Sequence, residues 1–404
     1  MTDVEDPRHQ GHITYSTLEM LGVGILKNVA GIESMRQMDI AFNTDTCIEN
    51  AYLAFGTKLK EGLPHHDTLN DFLEKLDVKE VENIRDHMVK GLLSGRALEK
   101  YRTPNKKWAV AIDGTGLFSF DEKHCSHCLR REATNPKTGG KKTIYMHHVL
   151  EAKLLAGDMV LSLESEFIEN ESEDVSKQDC ELKAFYRLAK KIKEKYPRLP
   201  ICIVGDSLYA CEPVFKLCEE NKWDYLIRFK DGSIPTLARE IEALSKIEGA
   251  AVTDRSGTCQ YINSVAATYR EVNWLAQSLE VGGVVKRYVF LASAHITKGN
   301  AETLALIGRA RWKIENEGFN MQKNHRLFIE HAFSENYNAM KNHYLLAQIA
   351  EIIIQLHENG SELLKAVKHE VKEISSLLLE SLRTRILTDE DIKNLDIPMQ
   401  IRFV

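Results

Sequence analysis

Between Lys106 and Phe229 the chain alternates apolar, β-prone runs with two amphipathic helical runs, and this order restricts the fold more than any other feature. "KKWAVAIDGTGLFSF", "TIYMHHVLEAKLL" and "MVLSLESEFI" come first, the last two separated by the turn signal "AGD". "SKQDCELKAFYRLAKKIKEKY" then has helical periodicity, "LPICIVGDSLYA" is a short buried strand, residues 212–222 are helical, and "WDYLIRF" is a further strand. The predicted order is β-β-β-α-β-α-β. Strands joined by helices pair in parallel and strands joined by hairpins pair antiparallel, so the sheet must be mixed, with helices on both faces.

That order is the one found in ribonuclease-H-like cores. The expected class is therefore α/β: a ribonuclease-H-like mixed sheet with a β-rich insertion, plus helical N- and C-terminal regions. Residues 1–104 read as a helical domain, with Asp67 or Thr68 as an N-cap. Both DNA binding and plain packing are open to it. Residues 105–230 form the first part of the core. Residues 231–300 carry four β-prone runs, "AAVTD", "TCQYINSVAATYRE", "VNWLAQSLEV" and "VKRYVFLASAHI", and read as the insertion. Residues 301–330 supply the last core helix, and 331–404 are helical.

Composition narrows the setting. The 404 residues are 43% hydrophobic and 28% charged, which suits a globular chain of two or three domains. No apolar run approaches the roughly 20 residues of a membrane span, and the polar start "MTDVEDPRHQ" does not read as a signal peptide. Eight scattered cysteines do not read as a disulfide framework, so a reducing cytoplasm is the expected location. The net charge of -6 argues against bulk coating of nucleic acid but leaves room for local basic grooves.

Two strands end in an aspartate beside glycine: Asp113 in "AIDGTG" and Asp206 in "VGDS". Side chains leaving strand ends enter the crevice where α/β sheets place their functional groups. Turn formation or helix capping is the plainer role for either one alone. In a ribonuclease-H-like sheet, however, the two strands are neighbours and the aspartates meet. "GRARWKIENEGFNMQKNH", residues 308–325, supplies a third carboxylate, Glu315, four residues after Arg311 and so on the same α-helical face. Glu317 is turned about 200° away from it on that geometry. Three converging carboxylates repel unless a cation intervenes, and oxygen donors suit Mg²⁺ or Mn²⁺. Two such ions support in-line phosphoryl displacement. Arg311 and Lys323 then fit phosphate contacts, against the plainer reading of a solvated charged helix.

Other features are less specific. The segment 129–153 carries six Lys/Arg against two Glu, and its glycines suggest a mobile loop whose Arg130, Arg131, Lys141 and Lys142 grip DNA backbone, or simply face solvent. Cys125 and Cys128, flanked by His124 and His127, form a C-x-x-C pair, which is half a zinc site. His147 or His148 completes it if the strands meet; a polar loop with two thiols is the plainer reading. Tyr209 either orients DNA or packs. Glu164 and Glu166 share one strand face; either one of them approaches the metals or, the plainer reading, they are a surface pair.

The segments "AIDGTG", "VGDSLYA" and "RWKIENEGFNMQK" together resemble the DDE transposases of bacterial insertion sequences, in the group with a β insertion before the last glutamate. Its signature runs Tyr, two residues, Arg, three residues, Glu, six residues, Lys. Arg311 and Glu315 match; Gly308 stands at the tyrosine position and Gln322 at the lysine position, with Lys323 one later. "LPHHDTLNDFLEKL" and "YNAMKNHYLLAQIAEI" are also similar to relatives of the group, so the likeness spans most of the chain. The resemblance implies binding of terminal inverted repeats by a homodimer, then metal-dependent cleavage and strand transfer of double-stranded DNA, in a nucleoid-associated bacterial protein. A nuclease without strand transfer and a domesticated DNA-binding protein are the alternatives. Some relatives hold a flipped base with a Trp of the insertion; Trp274 is the Trp of residues 231–300 here, and strand packing is its plainer role.

Overall fold

The computed structural model describes residues 1, 3–9, 11, 13–56, 62–134, 139–172, 175, 177–246, 250–254, 257–360 and 371–395. Among the described residues ten strands form one mixed sheet: β1 (Trp108–Phe120), β2 (Leu129–Thr134), β3 (Lys141–Ala156), β4 (Met159–Ile168), β5 (Ile201–Gly205), β6 (Asp224–Arg228), β7 (Ala250–Asp254), β8 (Gly257–Ala267), β9 (Arg270–Val281) and β10 (Val284–Ala292). The order is β2-β3-β1-β5-β6-β10-β9-β8-β7, with β4 also paired to β3. β1, β5 and β6 are parallel, and the other pairings are antiparallel. The run β4-β3-β1-β5-β6 is consistent with a ribonuclease-H-like sheet. The four strands expected between 231 and 300 are all present. They extend the same sheet, because β10 pairs with β6.

Two local expectations are corrected. Residues 129–134 form β2, paired with 141–146, so much of the expected mobile loop is a β-hairpin arm. Helix α8 (Pro235–Ser245) precedes β7; its short apolar stripe, Leu237 and Ile241, is hard to separate from the β-prone texture around it.

The pleat of the sheet separates two cores. Trp108, Val110 and Ile112 point into one, with Phe185, Leu188 and Ile192 of helix α6 (Glu181–Lys195). Ala109, Ala111, Cys202 and Val204 point into the other, with Leu304 and Ala305 of helix α9 (Ala301–Ala310). A third cluster joins the two ends of the chain. Residues of helices α1 (Thr17–Val29), α2 (Met35–Phe42) and α4 (His66–Lys75) pack with helix α10 (Tyr337–Gly360) and with Phe118, Val149 and Phe167 of the sheet. The N-cap of α4 is His65; neither Asp67 nor Thr68 caps it. Asp39 of α2 reaches this end and accepts from the His66 N–H at 2.9 Å, supplying from another helix what a local carboxylate was expected to give.

Polar side chains tie α10 down as well. Tyr344 donates to Glu151 on β3 at 2.9 Å, Lys153 donates to Gln348 at 3.0 Å, and the Val160 N–H donates to Gln355 at 2.6 Å. These α10 positions recur at helical spacing, yet all are buried. A buried polar group is tolerated when it is partnered, and each of these is.

A second polar network corrects the reading of Glu164 and Glu166 as a surface pair. Arg85 of helix α5 (Val78–Ser94) is fully buried and donates to Glu164 at 2.5 Å and to Ser165 at 2.7 Å. Lys195 of α6 pairs with Glu164 at 2.7 Å, and Lys191 pairs with Glu166 at 2.8 Å. β4 is covered by α5 and α6, so its acidic side chains meet helix cations there. Arg85→Met is expected to destabilise the fold by about 3–5 kcal/mol, because it strands Glu164 in the interior with one cation fewer. Urea denaturation checks this; a midpoint within error of wild type would show that the network carries no stability.

Candidate active site

The two strand-end aspartates meet because of register. Ala111 of β1 lies beside Val204 of the parallel β5, so Asp113 and Asp206, each two residues on, emerge level with one another and on the same face. That face is the one covered by α9. β5 ends at Gly205, and Asp206 begins a short turn in which its Oδ1 accepts from the Leu208 N–H at 2.8 Å. β1 continues past Asp113, which remains paired with Glu151 of β3.

Glu315 arrives on a wide helix. Residues Ile314–Asn320 and Gln322–Arg326 are π-helical, where an α-helix was expected. A π-helix bonds each N–H to the carbonyl five residues back, and its buried residues here are Ile314, Gly318 and Phe319. The Leu327 N–H donates to the Gln322 carbonyl at 3.2 Å in the same pattern. Ile314 and Phe319 face the interior, as the sequence suggested.

Arg311 ties Glu315 to β1. Its Nη1 donates to Asp113 Oδ2 at 2.9 Å, and its Nη2 donates to Glu315 Oε1 at 2.5 Å. The guanidinium expected to reach for phosphate is instead shared between two carboxylates, with its side chain 13% exposed. Burial still dominates at Asp113. It pushes the carboxyl up to about 7, against the pull of Arg311, and the charges of Glu315, Glu181 and Asp206 push the same way.

Glu181 is the carboxylate that sequence reasoning missed. It opens α6, and burial, with Asp206 nearby, raises its pKa. Tyr209 Oη donates to its Oε1 at 2.6 Å. Tyr209 is fully buried, so it positions Glu181 and has no surface to offer DNA. Two glycines make room for this pair. A methyl group on Gly114 would come within 2.9 Å of Glu181 Oε2, and one on Gly205 within 2.9 Å of the Tyr209 ring. The glycines after Asp113 and before Asp206 were visible in the sequence; what they accommodate was not.

Beside Asp206 lies a cavity of about 400 Å³ lined by Arg228, Lys230, Arg309 and Arg311, with Tyr288, Phe290 and Trp312. Arg228 and Arg309 stand over the Tyr288 ring at 5.0 and 5.2 Å. Trp312 is 62% exposed. Four cations and three aromatic rings are a chemistry for phosphates and bases. Arg228, Lys230 and Arg309 had no motif to mark them. Close packing in the cavity wall accounts for Gly308: a side chain there would meet the Phe290 ring at 2.6 Å.

The remaining candidates divide. Lys323 pairs with Glu330 at 2.8 Å and lies near His148, three residues before Asp113's partner Glu151 on β3. Gln322 is buried against Gln348. Arg130, Arg131, Lys141 and Lys142 are exposed on the hairpin arm, the two lysines beside Glu132 and Asp121. Trp274 is corrected: it is 3% exposed and packs in the core on the sheet face opposite Asp113, because the pleat turns it away from the carboxylates. Cys125, Cys128 and His147 converge, whereas His148, one residue on, points to the other side of β3.

A family model described as "Transposase DDE domain group 1" matches residues 2–388. No curated protein matches the chain.

The raised pKa of Asp113 predicts a pH effect. The folded chain keeps a proton that the unfolded chain, at 3.8, has released. This contribution to stability is fully present below about pH 4 and is lost as pH rises to about 7. In divalent-free buffer, Asp113→Asn should therefore gain on wild type by a few kcal/mol between those limits. Thermal denaturation across that range checks it, and a difference independent of pH would show that Asp113 is ionised throughout.

Proposed function

This chain belongs to the DDE transposase family, and we propose that it binds the terminal inverted repeats of its mobile element and catalyses DNA cleavage and strand transfer through Asp113, Asp206 and Glu315. The family acts in DNA transposition and recombination, and its members generally use divalent metal ions. The observation that carries the reading is the pairing of Asp113 and Glu315 by one arginine, with Asp206 near enough for its charge to act on both Asp113 and Arg311.

The donor set fits the ion. Asp113, Asp206 and Glu315, with Glu181 behind them, are all oxygen donors, the preference of Mg²⁺ and Mn²⁺. Their mutual repulsion and the raised pKa of Asp113 are relieved by positive charge. When bound, two such ions supply Lewis acidity at the attacking and leaving oxygens of a phosphodiester.

The chain's own residues do the rest. Arg311 keeps Asp113 and Glu315 in position and limits their repulsion. The cations of the Asp206 cavity hold the backbone of the strand to be cut, and Trp312 offers a face for a base. The arm with Arg130, Arg131, Lys141 and Lys142, together with Lys323, extends this cationic path. We assign residues 105–230 and 301–330 to the catalytic core and 231–300 to an insertion. Residues 1–104 and 331–404 are the helical regions, and a homodimer is the expected synaptic form.

Asp206→Asn should reduce cleavage of an element-end duplex to background while leaving its binding nearly unchanged, since the amide preserves shape and removes a ligand charge. Normal cutting by this variant would sink the assignment. Arg228→Ala should weaken end binding and lower the slope of log affinity against log salt by about one. Binding isotherms at several salt concentrations would show an unchanged slope if Arg228 makes no phosphate contact.

A further inference from the structure

The Cys125, Cys128 and His147 cluster lies outside the chemistry proposed above. His147 is four residues along β3 from Glu151, the partner of Asp113, or about 13 Å at the rise of a strand. Cys125 Sγ and Cys128 Sγ are 3.7 Å apart, and His147 Nε2 is 3.5 and 3.4 Å from them. A disulfide requires about 2.05 Å. A tetrahedral Zn²⁺ with bonds of about 2.3 Å to sulfur and 2.0–2.1 Å to nitrogen sets its ligands about 3.8 Å apart for S···S and about 3.6 Å for S···N. The three measured edges match that figure.

The surroundings are arranged for the same purpose. The Cys125 N–H donates to Cys128 Sγ at 3.4 Å, which holds the two sulfurs on one side of the turn. Cys128 and His147 are buried. The His147 ring stacks on Tyr337 at 4.1 Å, which fixes Nε2 toward the sulfurs. The turn holding the cysteines is itself anchored. The Asn170 N–H donates to the His127 carbonyl at 3.1 Å, and Asn170 Nδ2 donates to the Cys128 carbonyl at 2.9 Å. His124 and His127 flank the cluster, but each has a ring nitrogen on a backbone carbonyl, of Glu335 and Asn170 respectively.

We propose that Cys125, Cys128 and His147 bind one Zn²⁺ per chain, with water in the fourth position, and that the ion fastens the root of the β2–β3 arm to the sheet. Mixed thiolate and imidazole donors suit Zn²⁺, whereas the all-carboxylate site suits hard cations. The site belongs at the arm's root because β2 begins at Leu129, directly after Cys128.

Elemental analysis of the full chain, purified under reducing conditions from zinc-supplemented medium, should find one zinc per chain. After chelation, titration with Co²⁺ should give thiolate-to-cobalt charge-transfer absorption and tetrahedral d–d bands. Cys128→Ser and His147→Ala should each weaken Co²⁺ binding more than about a hundredfold, beyond the loss expected for an outer-shell change; His148→Ala should retain it. Metal-free chain should be cut faster by protease in residues 129–146 than zinc-bound chain. A wild-type chain with free thiols, no zinc and no cobalt–thiolate band would overturn the proposal, whether or not the variants fold. So would full metal retention in both ligand variants, or equal cleavage of the arm with and without zinc. None of these measurements depends on DNA cleavage.

Discussion

Trp108–Ala111 lie in parallel register with Ile201–Val204, and that register forces Asp113 and Asp206 to leave adjacent strands at one level, where like charges repel. A slip of one residue would turn one aspartate to the opposite face and dissolve the site. Side-chain size opposes the slip, because the smaller Ala109, Ala111, Cys202 and Val204 fill one core and the larger Trp108, Val110, Ile201 and Ile203 the other. Hydrophobic burial thus holds together an arrangement that electrostatics alone would disperse. Arg311 then offsets part of the repulsion with one planar guanidinium, whose fork suits two separate carboxylates better than an ammonium would.

Much of this was legible in the sequence. Strand order followed from period and hairpin signals, and the Asp-Gly and Gly-Asp dipeptides marked where side chains leave the sheet. Arg311 and Glu315 were marked by their spacing of four. What stayed hidden depended on contacts between distant segments. Glu181 reads as an ordinary first-turn acid until the fold brings it against Gly114 and Tyr209. Arg228, Lys230 and Arg309 come from two separate segments and meet only around one cavity. Trp274 looked available because sequence does not reveal which side of a sheet faces the site. The π-helix had no mark in the apolar spacing, since Ile314 is followed by buried residues both four and five positions on, and a charge pattern of period four drew the reading toward an α-helix.

Two kinds of polar burial serve different ends. The Arg85, Glu164 and Lys195 network pairs full charges, whose desolvation makes them poor stabilisers but costly to break singly. The stripe on α10 pairs mostly neutral groups with β3, β4 and the π-helix. It fixes the rotation of α10 against the sheet, since any other rotation would leave several buried groups unpartnered. Glu315 sits on the segment that this stripe braces through Gln322.

The position of α10 in the chain has a consequence for synthesis. Helices α1, α2 and α4 share their apolar cluster with α10, and Asn342 of α10 donates to the Leu73 and Leu76 carbonyls at the end of α4. Roughly 260 residues separate Leu76 from Tyr337, and at about 5–20 residues per second the ribosome takes some tens of seconds to cross them. Throughout that interval the first helices have emerged while their main partner has not been made. These helices of the nascent polypeptide therefore wait with apolar surface open. Their packing is timed by a segment translated roughly 260 residues later.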